Sequence, residues 1–207
     1  KKAADESVVL LKNNGLLPLR NVEKVALLGK ASYEYVKGGG GSGDVYCEYT
    51  RSLYDGLKMR GVKVYEPIIE YYKEELDKQY KKGCVPGMTK EPTVPSVILK
   101  NATRFSETAI VVINRFSGEG WDRSDIDGDI ETFNPWPAGV KMTTLSKVIF
   151  PDGDFYLSFE EKELVQNACD IFDNVVVVLN IGGVMDCRWI EGNEIEDASK
   201  TQLYLHA

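Results

Sequence analysis

Short apolar runs alternate with segments of helical periodicity along this chain, and this alternation restricts the fold more than any other feature. Four runs, at residues 25–28, 62–65, 109–113 and 175–181, have the length of buried strands, and a fifth begins at 201. Strand-sized apolar runs separated by helices are typical of an α/β domain with a mostly parallel sheet. We therefore predict a three-layer sandwich, with helices on both faces of the sheet and a truncated last strand.

The segments between these runs carry helix signals. Apolar residues spaced three and four apart predict helices over residues 3–13, 51–60 and 68–80. Ser158 and Glu161 have the spacing of a capping box, in which each side chain bonds the other residue's backbone N–H, so a further helix begins there. The apolar face of that helix is expected to hold Leu164, Val165, Ala168 and Phe172, and Trp189 is expected in the core.

Composition argues against several classes of protein. The chain has 207 residues and a net charge of −7, and binding nucleic-acid phosphates needs basic patches. No apolar run approaches the roughly 20 residues that cross a bilayer. The single histidine, His206, argues against a Ser-His-Asp triad, a Cys-His dyad or a histidine-ligated metal within this chain. We expect no nucleic-acid partner, no membrane span, no cofactor and no metal.

The cysteines indicate the compartment. Cys47, Cys84, Cys169 and Cys187 are widely spaced and form no CxxC pair. Isolated cysteines of this kind are typical of free thiols in a reducing environment. The sequence therefore predicts a cytoplasmic protein.

Three loops follow predicted strands at their carboxyl ends, where ligands gather in parallel sheets. They span residues 29–43, 114–123 and 182–189. The second contains Glu119 between two glycines, which leave space around the carboxylate and free its backbone. Such a carboxylate is placed for chemistry on a ligand, although locally a solvated carboxylate paired with Arg123 is the simpler interpretation.

A glycine loop at residues 38–43 matches the glycine spacing of nucleotide-binding motifs, but its context differs. Asp44 and Val45 follow where a P-loop needs Lys and then Ser or Thr. A dinucleotide-binding turn must also follow its strand immediately and open a helix. Nucleotide binding therefore stays a minor alternative, beside a surface loop and a close-approach loop in which Ser42 offers its hydroxyl and amide to a ligand or second domain.

Several segments, taken together and in order, resemble the α/β sandwich domain of glycoside hydrolase family 3, which includes many β-glucosidases. The stretch 6–19 resembles the family's opening helix and connector, and 24–29 resembles its first strand. The stretch 39–45 resembles its glycine loop, and 117–123 resembles its acid/base loop. The later matching segments are 154–158, 163–165, 175–182 and Trp189.

The resemblance implies a retaining β-glycosidase, most simply a β-glucosidase that removes terminal non-reducing β-D-glucosyl residues. In such enzymes a (β/α)8-like barrel carries the nucleophilic Asp, and the sandwich domain supplies the general acid/base. By this match Glu119 is the acid/base, and Ser42 lies close to the sugar. Asp122 and Arg123 hold the Glu119 loop or face the cleft, and Trp121 packs on its own domain or forms a sugar-facing wall.

The expected partners are therefore a β-glycoside substrate and the barrel domain, and the oligomeric state stays open. No barrel and no nucleophile motif occur in residues 1–207, so we expect the isolated chain to be inactive. The alternative is a carbohydrate- or partner-binding module without catalysis.

Two departures from the family pattern lead to further expectations. Residues 124–154 look like an inserted loop beside the acid/base loop, placed to pack on the barrel or to shape the aglycone side. The truncated last strand should leave an open sheet edge with apolar surface.

Overall fold

A computed structural model describes residues 6–38, 45–84, 86–117, 147–191 and 201–206 of the chain. Within these ranges no helix is both long enough and apolar enough to cross a membrane.

The centre of the fold is a six-stranded sheet with the strand order β1-β6-β5-β4-β2-β3. Strands β2 to β6 pair in parallel, and β1 pairs antiparallel with β6. This mostly parallel sheet confirms the predicted α/β sandwich. The strands are β1 (Val8–Lys12), β2 (Lys24–Leu28), β3 (Lys63–Val64), β4 (Thr108–Arg115), β5 (Asn174–Ile181) and β6 (Thr201–His206).

Helices connect the parallel strands, and polar caps fix where two of them begin. The Ser158 hydroxyl accepts the Glu161 N–H at 3.2 Å and the Glu161 carboxylate accepts the Ser158 N–H at 2.8 Å, which confirms the predicted capping box. Ser52 and Asp55 form a second capping box. The helices are α1 (Leu53–Met59), α2 (Glu66–Lys81), α3 (Ser96–Phe105) and α4 (Phe159–Ile171).

Side chains on the two faces of the sheet form two hydrophobic cores, because successive strand residues point to opposite faces. Helices α2, α3 and α4 cover one face, where Tyr72, Leu99 and Leu164 pack on β2, β4 and β5. Helix α1 and the connector 16–22 cover the other face. Trp189 is only 2% exposed and belongs to the first core, as predicted.

The predicted helix over residues 3–13 is wrong for residues 8–12, which form strand β1. Val8 to Leu10 pair with residues 204–206 of β6, and that ladder satisfies backbone groups that a helix would have satisfied internally. The run from Val8 to Leu11 is apolar at every position and begins with two β-branched residues, which favour strands. Pairing with a distant segment therefore overrides the local helical spacing.

The expected open edge also lies elsewhere. Strand β6 pairs with β5 over six positions, from Thr201 to His206, and β1 covers its other side. Within the described part of the chain the edge strand on this side is β1. Its residues Val8 to Leu11 are 38–47% exposed, so exposed apolar surface is present at β1 rather than at the last strand.

Candidate functional site

A cleft of about 330 Å³ opens at the carboxyl edge of the sheet. Its lining includes residues 35–38 and 49–51 together with Arg115, Ser117 and residues 180–182. The described parts of the three loops predicted to converge at this edge therefore meet in one cleft.

The loops after β4 and β5 touch directly. A Cβ atom built on Gly182 would lie 2.6 Å from the Ser117 hydroxyl oxygen, which is shorter than any real contact of that kind. A side chain at position 182 would therefore force the Ser117 hydroxyl to move, and Ser117 precedes Glu119 by two residues.

Two buried asparagines at the strand ends hold the loop that leads toward Ser42. Asn114 and Asn180 are paired in register on β4 and β5. The Asn114 side-chain amide donates to the Glu34 carbonyl at 3.0 Å. The Asn180 side-chain oxygen accepts the Val36 N–H at 3.1 Å. Residues 34–36 are thus tied to the ends of two central strands.

A buried network of polar side chains stabilises the same loop. The Lys30 ammonium donates to the Thr89 hydroxyl at 3.0 Å and lies 3.5 Å from the Glu34 carboxylate. Thr89 donates to that carboxylate at 2.8 Å, and the Tyr80 hydroxyl donates to its other oxygen. Both charged groups are buried, and their mutual pairing limits the cost of that burial.

Glu91 completes this network at the backbone. Its carboxyl oxygens accept the Lys30 N–H at 3.1 and 3.2 Å, and the Gly29 N–H donates to the Tyr72 hydroxyl at 2.8 Å. Burial raises the pKa of Glu91 to about 8, opposed by the charge of Lys30. Glu91 is therefore mostly protonated at neutral pH, and its buried position suits support of the 29–32 turn rather than chemistry on a ligand.

Arg115 anchors the base of the loop that contains Glu119. Its guanidinium forms two bonds of 2.6 Å to Glu161 and donates to the carbonyls of Asp154 and Tyr156 at 2.9 and 2.7 Å. The guanidinium carbon also lies 4.4 Å from the centroid of the Phe150 ring. The Arg115 side chain therefore links the end of β4, which precedes segment 118–146, to residues that follow that segment.

The predicted site residues themselves, Ser42, Glu119, Trp121, Asp122 and Arg123, lie outside the described residues.

The structure nonetheless places the residues next to both site loops. Gly38, four residues before Ser42, and Ser117, two residues before Glu119, line the same cleft.

The predicted inserted loop, 124–154, is described only from residue 147 onward. In that part Ile149, Phe150 and Asp154 are 3%, 7% and 3% exposed, so it folds back onto the domain.

Sequence reasoning missed Arg115, Asn114 and Asn180. Each asparagine follows directly on a buried apolar run, so a signal for both was present in the sequence. The Arg115–Glu161 pair spans 46 residues, and no local pattern marks it.

The described residues contain no cluster of three or more His, Cys, Asp or Glu side chains that could hold a metal. All four cysteines are free, as predicted, and burial raises the pKa of the Cys84 and Cys187 thiols.

Comparison with known proteins defines the class of this domain. The family described as glycosyl hydrolase family 3 C-terminal domain matches residues 8–199, so the chain belongs to that family.

Curated relatives carry β-glucosidase names. β-Glucosidase A of Butyrivibrio fibrisolvens is 42% identical over 198 residues, which cover 93% of this chain and 23% of the relative. A β-glucosidase of Ruminococcus albus is 29% identical over 200 residues, covering 92% of this chain and 18% of the relative. The chain thus spans less than a quarter of the length of these relatives.

Solved structures share the fold over nearly the whole chain. β-Glucosidase 3B from Thermotoga neapolitana, in complex with α-D-glucose, has a TM-score of 0.74 and 28% identity, covering 99% of this chain and 26% of its own. A β-glucosidase from Paenibacillus barengoltzii has a TM-score of 0.75 and 25% identity, covering 99% of this chain and 20% of its own.

Proposed function

We propose that this chain is the acid/base-bearing domain of a retaining β-glucosidase, which hydrolyses terminal non-reducing β-D-glucosyl residues. Glu119 protonates the leaving oxygen and then takes a proton from the water that releases the sugar. The nucleophilic Asp belongs to a (β/α)8-like barrel domain of the same enzyme. In retaining glycosidases the two carboxyl groups stand about 5–5.5 Å apart across the scissile bond.

The observation that carries this proposal is the shared cleft of Gly38 and Ser117. These residues lead into the two stretches, around Ser42 and Glu119, that resemble the family's sugar-binding and acid/base loops. An enzyme that uses both loops on one substrate needs the residues that lead into these loops to lie close together. Gly38 and Ser117 meet this requirement, because both line one cleft. The β-glucosidase names of the relatives support glucose as the sugar.

The anchoring of Arg115 supports a positioned acid. Catalytic groups act efficiently when they are held in a fixed geometry. Glu119 follows Arg115 by four residues, and that guanidinium is fixed by Glu161 and three backbone carbonyls. In the assembled enzyme, the barrel would bury Glu119 beside the nucleophile, and both effects raise the pKa of an acid. Ser42, Trp121, Asp122 and Arg123 are proposed to contact the substrate or to hold the Glu119 loop.

Substitution of Glu119 in the full-length enzyme tests this function. Removing a general acid/base typically lowers the rate by about 10²- to 10⁴-fold, so Glu119→Gln should lose that much kcat on cellobiose. Glu48→Gln is the matched control, because Glu48 is an exposed carboxylate that does not itself line the cleft although its neighbours Cys47 and Tyr49 do, and it should stay close to wild type. Glu119→Gln with ordinary activity would refute the assignment.

A second experiment separates the enzyme from a binding module. The isolated chain should hydrolyse no glycoside, and hydrolysis should appear when it is combined with the barrel domain. A chain that binds glycosides but adds nothing to hydrolysis by the complete protein would favour the binding module.

A further inference from the structure

Asn180 is a buried side chain at the cleft, and within the described part of the chain one of its two polar groups has no partner. It is only 6% exposed, and it lines the cleft at the end of β5. Its oxygen accepts the Val36 N–H, which fixes the amide orientation, because an N–H can only donate. The oxygen of Asn180 therefore faces the loop, and its NH2 group faces away from it.

The NH2 group of Asn180 has no hydrogen-bond partner among the residues that the structure describes. Among these residues, the Ser32 hydroxyl is the only side-chain polar atom that is both sealed from solvent and unpartnered. The Asn180 nitrogen is thus not sealed, and the space open to this side chain is the cleft that it lines.

Asn114 provides a comparison, because the same residue type forms its hydrogen bonds within the protein there. It is paired in register with Asn180, and it is 2% exposed. Its nitrogen donates to the Glu34 carbonyl, and its oxygen accepts from the Lys30 ammonium at 3.4 Å. Asn114 uses both ends of its amide inside the protein and does not line the cleft, whereas Asn180 uses only one end on the residues that the structure describes.

We propose that Asn180 is a substrate-binding residue whose side-chain NH2 donates a hydrogen bond to a hydroxyl group of the glycoside in this cleft. A binding site orients its ligand through a few well-placed polar groups, and a donor held by a buried side chain is already oriented. A polyhydroxylated ligand supplies an acceptor that the described residues do not. This inference rests on the proposed function and adds a specific contact to it.

The same amide couples the ligand to the loop that leads toward Ser42. Its oxygen holds Val36 while its nitrogen would hold the sugar. A substitution at Asn180 therefore affects both, and the test must separate substrate contact from loop support.

The test uses the full-length enzyme and a set of cellobiose analogues, each lacking one hydroxyl group. Asn180→Leu should lower kcat/KM for cellobiose by at least about 10-fold, the usual effect of one lost neutral hydrogen bond, in addition to any loss from the weakened loop. For the analogue that lacks the bonded hydroxyl, the loss should be about 10-fold smaller, since the contact is already absent and only the loop support is removed. Such non-additivity identifies a direct interaction.

Two further variants keep the test decisive. Asn180→Asp retains an acceptor for the Val36 N–H, so it covers the case in which Asn180→Leu does not fold, and its effect should again depend on one hydroxyl. Asn114→Leu removes support from the same loop without reaching the cleft, and any loss should be equal for all analogues. A loss that is equal for all analogues in the Asn180 variants, or no loss, would overturn the inference while the proposed function stands.

Failure of the proposed function is recognised separately. A wild-type enzyme that hydrolyses no β-glucoside refutes the function, and Asn180 is then tested by calorimetry with cellobiose. Binding that weakens about 10-fold in Asn180→Leu supports the contact. Equal binding by both proteins, or no binding by either, overturns it.

Discussion

Arg115 and Glu161 form a bidentate ion pair with two nitrogen–oxygen distances of 2.6 Å, although 46 residues separate them along the chain. Their side chains are 1% and 3% exposed, so each buried charge is stabilised by the opposite charge of its partner. Glu161 also caps the first turn of α4. One contact therefore joins the end of β4, the start of α4 and the base of the loop that carries Glu119.

Breaking this ion pair should destabilise the domain strongly. Glu161→Gln leaves the Arg115 charge buried without its counter-ion, and such losses cost about 3–5 kcal/mol of unfolding free energy. Urea unfolding of the domain measures the effect. Glu160→Gln is the control on the same turn. Its partner Lys90, 2.5 Å away, is 50% exposed, so the loss should stay below about 1 kcal/mol. Equal losses for the two variants would contradict the role given to Arg115.

Gly29, at the end of β2, should tolerate no side chain. It has a φ of +86°, and a Cβ there would lie 2.2 Å from the Val112 carbonyl oxygen. Gly29→Ala should therefore cost about 4 kcal/mol or more, among the largest effects of single substitutions.

Gly61 separates the steric effect from the backbone strain. It has a similar φ of +78° but open space around the built Cβ. Gly61→Ala should lose only the roughly 1–2 kcal/mol of left-handed strain, again measured by urea unfolding. A Gly29→Ala variant no less stable than Gly61→Ala would show that the strands relax around the new methyl group.

The protonation of Glu91 should appear in the pH dependence of stability. Its pKa is about 8 in the folded chain, raised by burial from 4.5. Between these values the folded state holds a proton that the unfolded state has lost, so the group's contribution to stability falls as the pH rises and levels off above about 8.

Glu91→Gln removes this titration. From about pH 5 to pH 8 the wild type should lose stability relative to the variant by up to about 1.4 kcal/mol per pH unit. Unfolding measured at several pH values in this window gives the difference. A difference that is constant with pH, or that grows in the opposite direction, would show that Glu91 is ionised in the folded state.

The sequence was informative where burial and local pattern agree. The apolar runs at 25–28, 109–113 and 175–181 became central strands because a strand covered on both faces is apolar throughout. The capping box at Ser158 was readable because both of its partners lie within one helical turn.

Other elements depended on distant partners. Strand β1 was mistaken for part of a helix despite its β-branched start, since the hydrogen bonds that decide its structure go to β6, nearly two hundred residues away. Helix α3 was overlooked, although Leu99 and Ala102 form a buried stripe after Pro95. At the candidate site, the convergence of loops followed from strand polarity alone, whereas Arg115 and the two asparagines act through contacts that only the folded chain brings together.

Chemical rescue of Glu119→Ala in the full-length enzyme tests the central claim most directly. With an activated aryl β-glucoside, whose leaving group needs no acid, the variant should form the glycosyl-enzyme and then stall, because no base activates the water. Sodium azide should restore turnover and yield a β-glucosyl azide, since the anion attacks without a base. Turnover by Glu119→Ala near the wild-type rate and unchanged by azide would contradict the assignment of Glu119 as the general acid/base.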